Sequence, residues 1–211
     1  EGLSESSAHQ VVLPLPSREV DPYRGLPPHF EIASARARVL HSLVTDKVRI
    51  IVASASALVM RVSSPEQITA GSVALTLGHD ITPTALGDVL QVAGFVREDP
   101  VDKHGECCIR GGVVDFFPAN ESKPVRIEFI GDVVESIRRF DPATQRSTEP
   151  DDHVEVVPLQ DSLVDWVNDY SLNESASFLD YLNLRGSSVF LSEPDEIMVQ
   201  LDETFSQILI N

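Results

Sequence analysis

The sequence predicts a mixed α/β chain (α+β). An incomplete α/β platform, built from residues 1–70 and 158–211, is interrupted at residues 71–157 by a small β-rich module containing an antiparallel hairpin. Three patterns predict this. A helical periodicity runs directly into an apolar β-branched stretch between residues 31 and 53; strand and turn signals crowd together between Cys107 and Phe140; and past Val154 short helix and strand signals alternate again. The 211 residues suit one large domain or two small ones.

The segment up to about Pro28 is rich in Ser and Pro and reads as extended, with Val11–Pro16 a short strand stopped by its prolines. Across Glu31–Leu43 the spacing puts Ile32, Ala35, Val39, Leu40 and Leu43 on one helical face and leaves Arg36 and Arg38 elsewhere. Val48–Ala53 follows as a buried strand by its β-branched composition. Val73–Leu77 is a second strand and Gly78-His79 a turn. Thr82 is placed to cap a helix that begins at Pro83, with Leu86, Val89, Leu90 and Ala93 as its apolar stripe and Gly94 at the left-handed position that ends it.

β signals then follow closely. Cys107–Phe117 is one strand or two, broken at Gly111-Gly112. Val125–Ile130 alternates, and Gly131-Asp132 turns the chain into Val133–Phe140, giving a hairpin with one apolar face and one polar face that carries Arg126 and Glu128. Further on, Val154–Pro158 reads as a strand, Asp161–Tyr170 as a short helix, Ser188–Leu191 as a strand and Pro194–Ile208 as a helix. No internal repeat or low-complexity tract is visible.

Charge excludes several function classes. With 16 basic against 33 acidic residues, the formal charge is -17, the opposite of the basic footprint that phosphate neutralisation requires. Binding to nucleic acid or to an anionic membrane surface by this chain alone is therefore not expected. The acid is uneven: residues 132–211 hold 17 Asp/Glu and only 4 Lys/Arg, so the basic side chains concentrate in the first part of the chain. No apolar run approaches the ~18 residues of a membrane span. The first residues carry no secretory signal and no initiator Met, the look of a piece of something longer.

Catalytic and metal signatures are lacking. There is no phosphate loop of the G-x-x-x-x-G-K-[ST] type, no G-x-G-x-x-G opening a helix, and no G-x-S-x-G. Ser54 and Ser56 have no His or acid nearby in sequence to activate them. The six His are scattered, and the acidic pair Asp151-Asp152 reads as solvated loop charge. The adjacent Cys107 and Cys108 point to opposite faces of a strand, one into the core and one outward, and as reduced thiols they suit a cytoplasmic protein.

The informative segment is Gly105-Glu106-Cys107-Cys108-Ile109-Arg110-Gly111-Gly112-Val113-Val114-Asp115-Phe116-Phe117-Pro118, followed by Pro124–Arg138 and by Phe140-Asp141-Pro142-Ala143-Thr144-Gln145-Arg146-Ser147. In order and spacing this series resembles the module shared by the excision-repair protein UvrB and the bacterial transcription-repair coupling factor. Asp21–Arg36 resembles the coupling factor's segment ahead of its first long helix, whereas the Tyr-rich stretch expected of UvrB's DNA-gripping hairpin is missing. Phe178-Leu179-Asp180-Tyr181-Leu182 and Val189–Pro194 resemble the coupling factor's return to its first domain. The likeness departs between Pro158 and Phe178, where the family has a longer connection.

The resemblance implies the N-terminal UvrB-homology region of a transcription-repair coupling factor, with 71–157 as a UvrA-binding module. The full-length family protein is an ATP-dependent DNA translocase that displaces stalled RNA polymerase and recruits UvrA. Its ATP and Mg sites and its contacts with DNA and RNA polymerase belong to other domains, so no cofactor, catalytic residue or metal is expected here, nor a membrane. The partner implied is UvrA. A second is the C-terminal region of the full-length chain itself, which masks the same surface at rest. Matching positions assign partner contacts to Arg110, Arg126, Ile130 and Arg97, with Ile130 standing where the family commonly has Phe.

Guanidinium groups suit such a surface because they form forked bonds to carboxylates and are frequent interface hot spots. As ordinary surface residues, Arg126 would pair with Glu128 or Glu135 and Arg110 would brace the sheet edge against Asp115. Arg138 and Arg139 alternate faces, so at most one joins the same patch. The rival readings are a UvrB fragment, a nucleotide-hydrolysing enzyme and a DNA-binding module.

Overall fold

Residues 12–18, 29–162, 175–184 and 186–210 are described in the structure, a computed structural model. Strand β1 (Val12–Leu15) pairs in parallel with β2 (Ile50–Ala53), and helix α1 (Phe30–Val44) connects them. Then come α2 (Ala55–Leu58), β3 (Val62–Ser63) and α3 (Pro65–Ala70). A capping box starts α3: Ser64 Oγ accepts from Gln67 N, and Gln67 Oε1 accepts from Ser64 N at 2.8 Å.

The module opens with β4 (Val73–Thr76) and α4 (Pro83–Val92), capped by Thr82, whose Oγ1 accepts from Ala85 N at 2.9 Å. Gly94 follows α4 at φ +94°, a conformation that a Cβ disfavours. Strands β5 (Val96–Arg97), β6 (Glu106–Arg110), β7 (Val113–Phe116), β8 (Val125–Ile130), β9 (Val133–Phe140) and β10 (Ser147–Asp151) form one six-stranded sheet in the order β10-β9-β8-β7-β6-β5. All its neighbours are antiparallel except β5–β6. The Cys107–Phe117 stretch is thus two strands. Gly131, at φ +63°, makes the β8–β9 turn. Strand β11 (His153–Val156) pairs with β4. The loop after β4 joins this pair to the large sheet, through bonds from Gly78 N to Val134 O and from Ile81 N to Asp132 O.

The chain then re-enters the platform. Strand β12 (Ser175–Ala176) pairs with β3, and α5 (Phe178–Asn183) and α6 (Pro194–Ile210) follow. Three apolar clusters result among the described residues. Leu86 and Leu90 of α4 pack with Val114, Phe116, Val125, Ile127, Val134 and Ile137 on one face of the large sheet. Another cluster gathers Leu15, Val39, Leu40, Ile68, Phe178 and Tyr181. The broader apolar face of the sheet is filled by α4, β4 and β11. Val101, Phe117 and Phe140 form a smaller cluster with Cys108 beside it, and Phe140 and Cys108 belong to the Arg126 side of the sheet.

A buried clasp holds the returning chain. Asp161 accepts from Arg36 Nε at 2.6 Å and from Arg18 Nη2 at 2.9 Å, and both Arg36 and Asp161 are 1 % exposed. Arg36 Nη1 also donates to the carbonyls of Pro16 and Ala57. This corrects the sequence reading of α1. The inward face is Ala33, Arg36, Ala37 and Leu40, with Val39 and His41, while Ile32, Ala35 and Leu43 are only partly covered. Apolar periodicity placed Arg36 elsewhere because the residue it bonds lies 125 positions away.

Two further expectations differ. β2 is largely exposed rather than buried, because β1 is its sole partner among the described residues and nothing there covers Ile50 or Val52. Ser188–Leu191 forms no strand: its backbone has no ladder partner among the described residues, and Phe190 is 93 % exposed. The expected helix at Asp161–Tyr170 is not helical at Asp161 and Ser162, and its remainder falls outside the described residues, as does most of the extended opening to Pro28.

Candidate docking surface

The face of the large sheet opposite α4 carries the polar groups. Register lines up Cys108, Asp115, Arg126 and Arg138 across β6, β7, β8 and β9, with Arg110, Val113, Glu128 and Ser136 in the next row. Alternation along β6 leaves Cys107 buried and Cys108 half-buried on this side, both as free thiols. Burial pushes the Cys108 thiol up, with Asp99 adding to the effect.

Asp115 is the centre. Its carboxylate is 1 % exposed, and it accepts from Arg126 Nε at 2.7 Å, Arg126 Nη2 at 2.8 Å and Arg110 Nη2 at 2.6 Å. Two guanidinium groups therefore share one carboxylate, and the charge that Asp115 leaves unmatched is met by Asp99. Arg126 is the more enclosed at 17 % exposed. It lies over the Phe140 ring at 4.8 Å, and its Nη1 donates to Gln145 O. Hydrogen bonding to Asp115 raises its pKa further above the ordinary range. Arg110, at the open end of β6, is 44 % exposed and donates its Nη1 to Asp99 Oδ1 at 2.9 Å.

The structure thus brings Arg110 and Arg126 together, with Arg110 on Asp115 as a bracing residue would be. It places Arg126 on Asp115 rather than on Glu128 or Glu135, and Glu128 instead accepts from Ser136 Oγ. Ile130 shares the face with Arg126, four residues along β8 (about 13 Å). It is 67 % exposed at the hairpin tip, beside the exposed Val133. Arg97 does not join them. Its register partner is the inward-facing Cys107, and its guanidinium lies close to Gly87 of α4, on the opposite side of the sheet. Arg138 stands on the Arg126 side, whereas Arg139 pairs with Asp151 and Glu121. The Asp141–Arg146 turn is held by Asp141 Oδ1, which accepts from Ala143 N and Thr144 N.

Sequence reading missed Asp99, which sits beyond β5 with no periodic signal, and the aromatic floor that Phe140 gives Arg126. Arg126, Arg138 and Phe140 were all in the predicted hairpin, and a strand alignment brings them to one face. Among the described residues no cluster of His, Cys, Asp and Glu has the makings of a metal site, and no helix is long and apolar enough to cross a membrane.

Residues 73–161 match the UvrB interaction domain. The chain is 31 % identical over 159 residues to the transcription-repair-coupling factor of Haemophilus influenzae, which aligns 75 % of this chain with 14 % of that protein. It is 30 % identical over 152 residues to the Escherichia coli protein of the same name (72 % and 13 %) and 32 % over 134 residues to that of Bacillus subtilis (64 % and 11 %). The chain spans well under a fifth of the length of these relatives. The chain thus carries a UvrB interaction domain at residues 73–161 and is similar over most of its length to transcription-repair-coupling factors.

Proposed function

We propose that this chain is a protein-docking module that recruits UvrA to RNA polymerase stalled at a lesion, in transcription-coupled nucleotide excision repair. Residues 71–157 make the contact; residues 1–70 and 158–211 are the platform that carries them. The module catalyses nothing itself. ATP, Mg, DNA and RNA polymerase are handled by other domains of a full-length ATP-dependent translocase, and the same patch is what the C-terminal region of that protein covers at rest.

The observation that supports this reading best is the shared anchor. One buried carboxylate holds two guanidinium groups, one of them half-exposed, beside an exposed aliphatic tip. Arginine forks and a nearby apolar anchor are the usual ingredients of an interface centre. Arg110, Arg126 and Ile130 form the proposed contact; Arg97, on the other side of the sheet, is left out of it. A UvrB fragment is the weaker alternative, since the Haemophilus influenzae and Escherichia coli relatives, which align with more of the chain than the module alone, are coupling factors.

The test is capture of UvrA by the intact chain and by Arg110→Ala and the Arg110→Ala, Arg126→Ala double variant. Capture is expected to weaken at least about tenfold in the double variant, equivalent to about 1.4 kcal/mol, with part of the loss already present in Arg110→Ala. Equal capture by all three forms removes these arginines from the contact.

A further inference from the structure

We propose that Asp99 is an internal occupant of the Arg110 fork, and that a carboxylate on the docking partner replaces it. The inference rests on the docking reading above and adds the chemistry of the partner group and a residue that sets the affinity.

The donors of the two arginines are not equally available. Arg126 has Nε and Nη2 on Asp115 and Nη1 on the Gln145 carbonyl, and its plane rests on Phe140. Little of it is left to offer. Arg110 has only Nη2 on Asp115, while its Nη1 is held by Asp99. These two acceptors differ sharply. Asp115 is 1 % exposed and fixed within β7, whereas Asp99 is 56 % exposed on the loop beyond β5. An ion pair as open to water as Arg110–Asp99 contributes little to stability, so exchanging it is inexpensive. A carboxylate presented by a partner would meet the same donor with water excluded around it, where a charge-assisted bond is stronger.

The charge balance leads to the same group. Asp115 neutralises only one of its two arginines, and the second charge is met by Asp99 alone among the contacts of Arg110. Moving Asp99 aside leaves the Arg110–Arg126–Asp115 group with one net positive charge, the complement of a single partner carboxylate. A partner without an acidic group there gains nothing by displacing Asp99, so the residue also discriminates.

The experiment measures UvrA affinity for the whole chain and for four variants: Asp99→Asn, Arg110→Ala, the two combined, and Asp88→Asn. Asp88 is exposed on α4, across the sheet, and serves to control for loss of one negative charge. Asp99→Asn is expected to tighten binding about threefold, the size of an exposed ion pair released. Asp88→Asn should leave affinity unchanged, and the gain should vanish when Arg110→Ala is added. Unchanged or weaker binding by Asp99→Asn, with Arg110→Ala still losing capture, overturns the inference and leaves the docking reading standing. Undiminished binding by Arg110→Ala, or none by the unmodified chain, overturns the docking reading and this inference with it.

Discussion

The Asp115 carboxylate receives two parallel bonds from Arg126, at 2.7 Å from Nε and 2.8 Å from Nη2, from directly across the β7–β8 ladder. The pair occupies the centre of the polar face rather than its rim, so the docking surface and the stability of the sheet share a residue. Asp115→Asn should therefore leave an enclosed guanidinium without its counter-charge and lower unfolding stability by about 3 kcal/mol. Arg110→Ala, at the half-exposed end of the same network, should change it by less than about 1 kcal/mol. Urea midpoints of the two variants check the contrast, and similar shifts would contradict the division of labour between the arginines.

The clasp between α1 and the returning chain makes a second prediction. Asp161→Ala leaves Arg36 buried and unpaired and should destabilise the chain by about 3–5 kcal/mol. Replacing both partners, as Arg36→Met with Asp161→Leu, should recover much of that loss. Thermal or urea unfolding of the single and double variants measures the recovery.

His41 gives stability a pH dependence. Burial lowers its pKa from the ordinary 6.5; Glu155, at 3.6 Å, opposes this and Lys47 reinforces it. The folded chain thus favours neutral imidazole, and between the folded pKa and 6.5 the unfolded chain binds more protons. Stability from this group is complete above 6.5 and declines as pH falls through 6.5 toward the folded value. The difference in urea midpoint between the unmodified chain and His41→Gln should narrow as pH falls from 7.5 to 5.5. A difference that stays constant would remove His41 as the source.

Tyr181 reports on the β3–α5 contact. Its hydroxyl donates to Ser63 O at 2.5 Å, and burial raises its pKa. Tyr181→Phe keeps the ring packing but leaves that carbonyl without this bond. It should reduce stability by about 1 kcal/mol, read from equilibrium unfolding.

The local elements of the module are legible in the chain alone. Thr82-Pro83 and Gly94 bound α4, Gly111-Gly112 and Gly131-Asp132 turn the chain, and strict alternation in Val125–Phe129 sorts the hairpin into two faces. Each depends on neighbours within a few residues, where backbone sterics and side-chain period dominate. Tertiary structure alone decided which charges meet. Arg36 turned inward because Asp161 returns from the far end of the module; Arg97 fell on the α4 side because β5 joins β6 in parallel register; and Asp99 reached Arg110 from beyond that edge strand. Ion pairing leaves no periodic trace in a chain, since a carboxylate at any sequence distance neutralises a guanidinium once packing sets the geometry. Burial of β2 and strand formation at Ser188–Leu191 failed for a related reason: apolar composition supplies the tendency, but only a neighbouring strand or covering layer realises it.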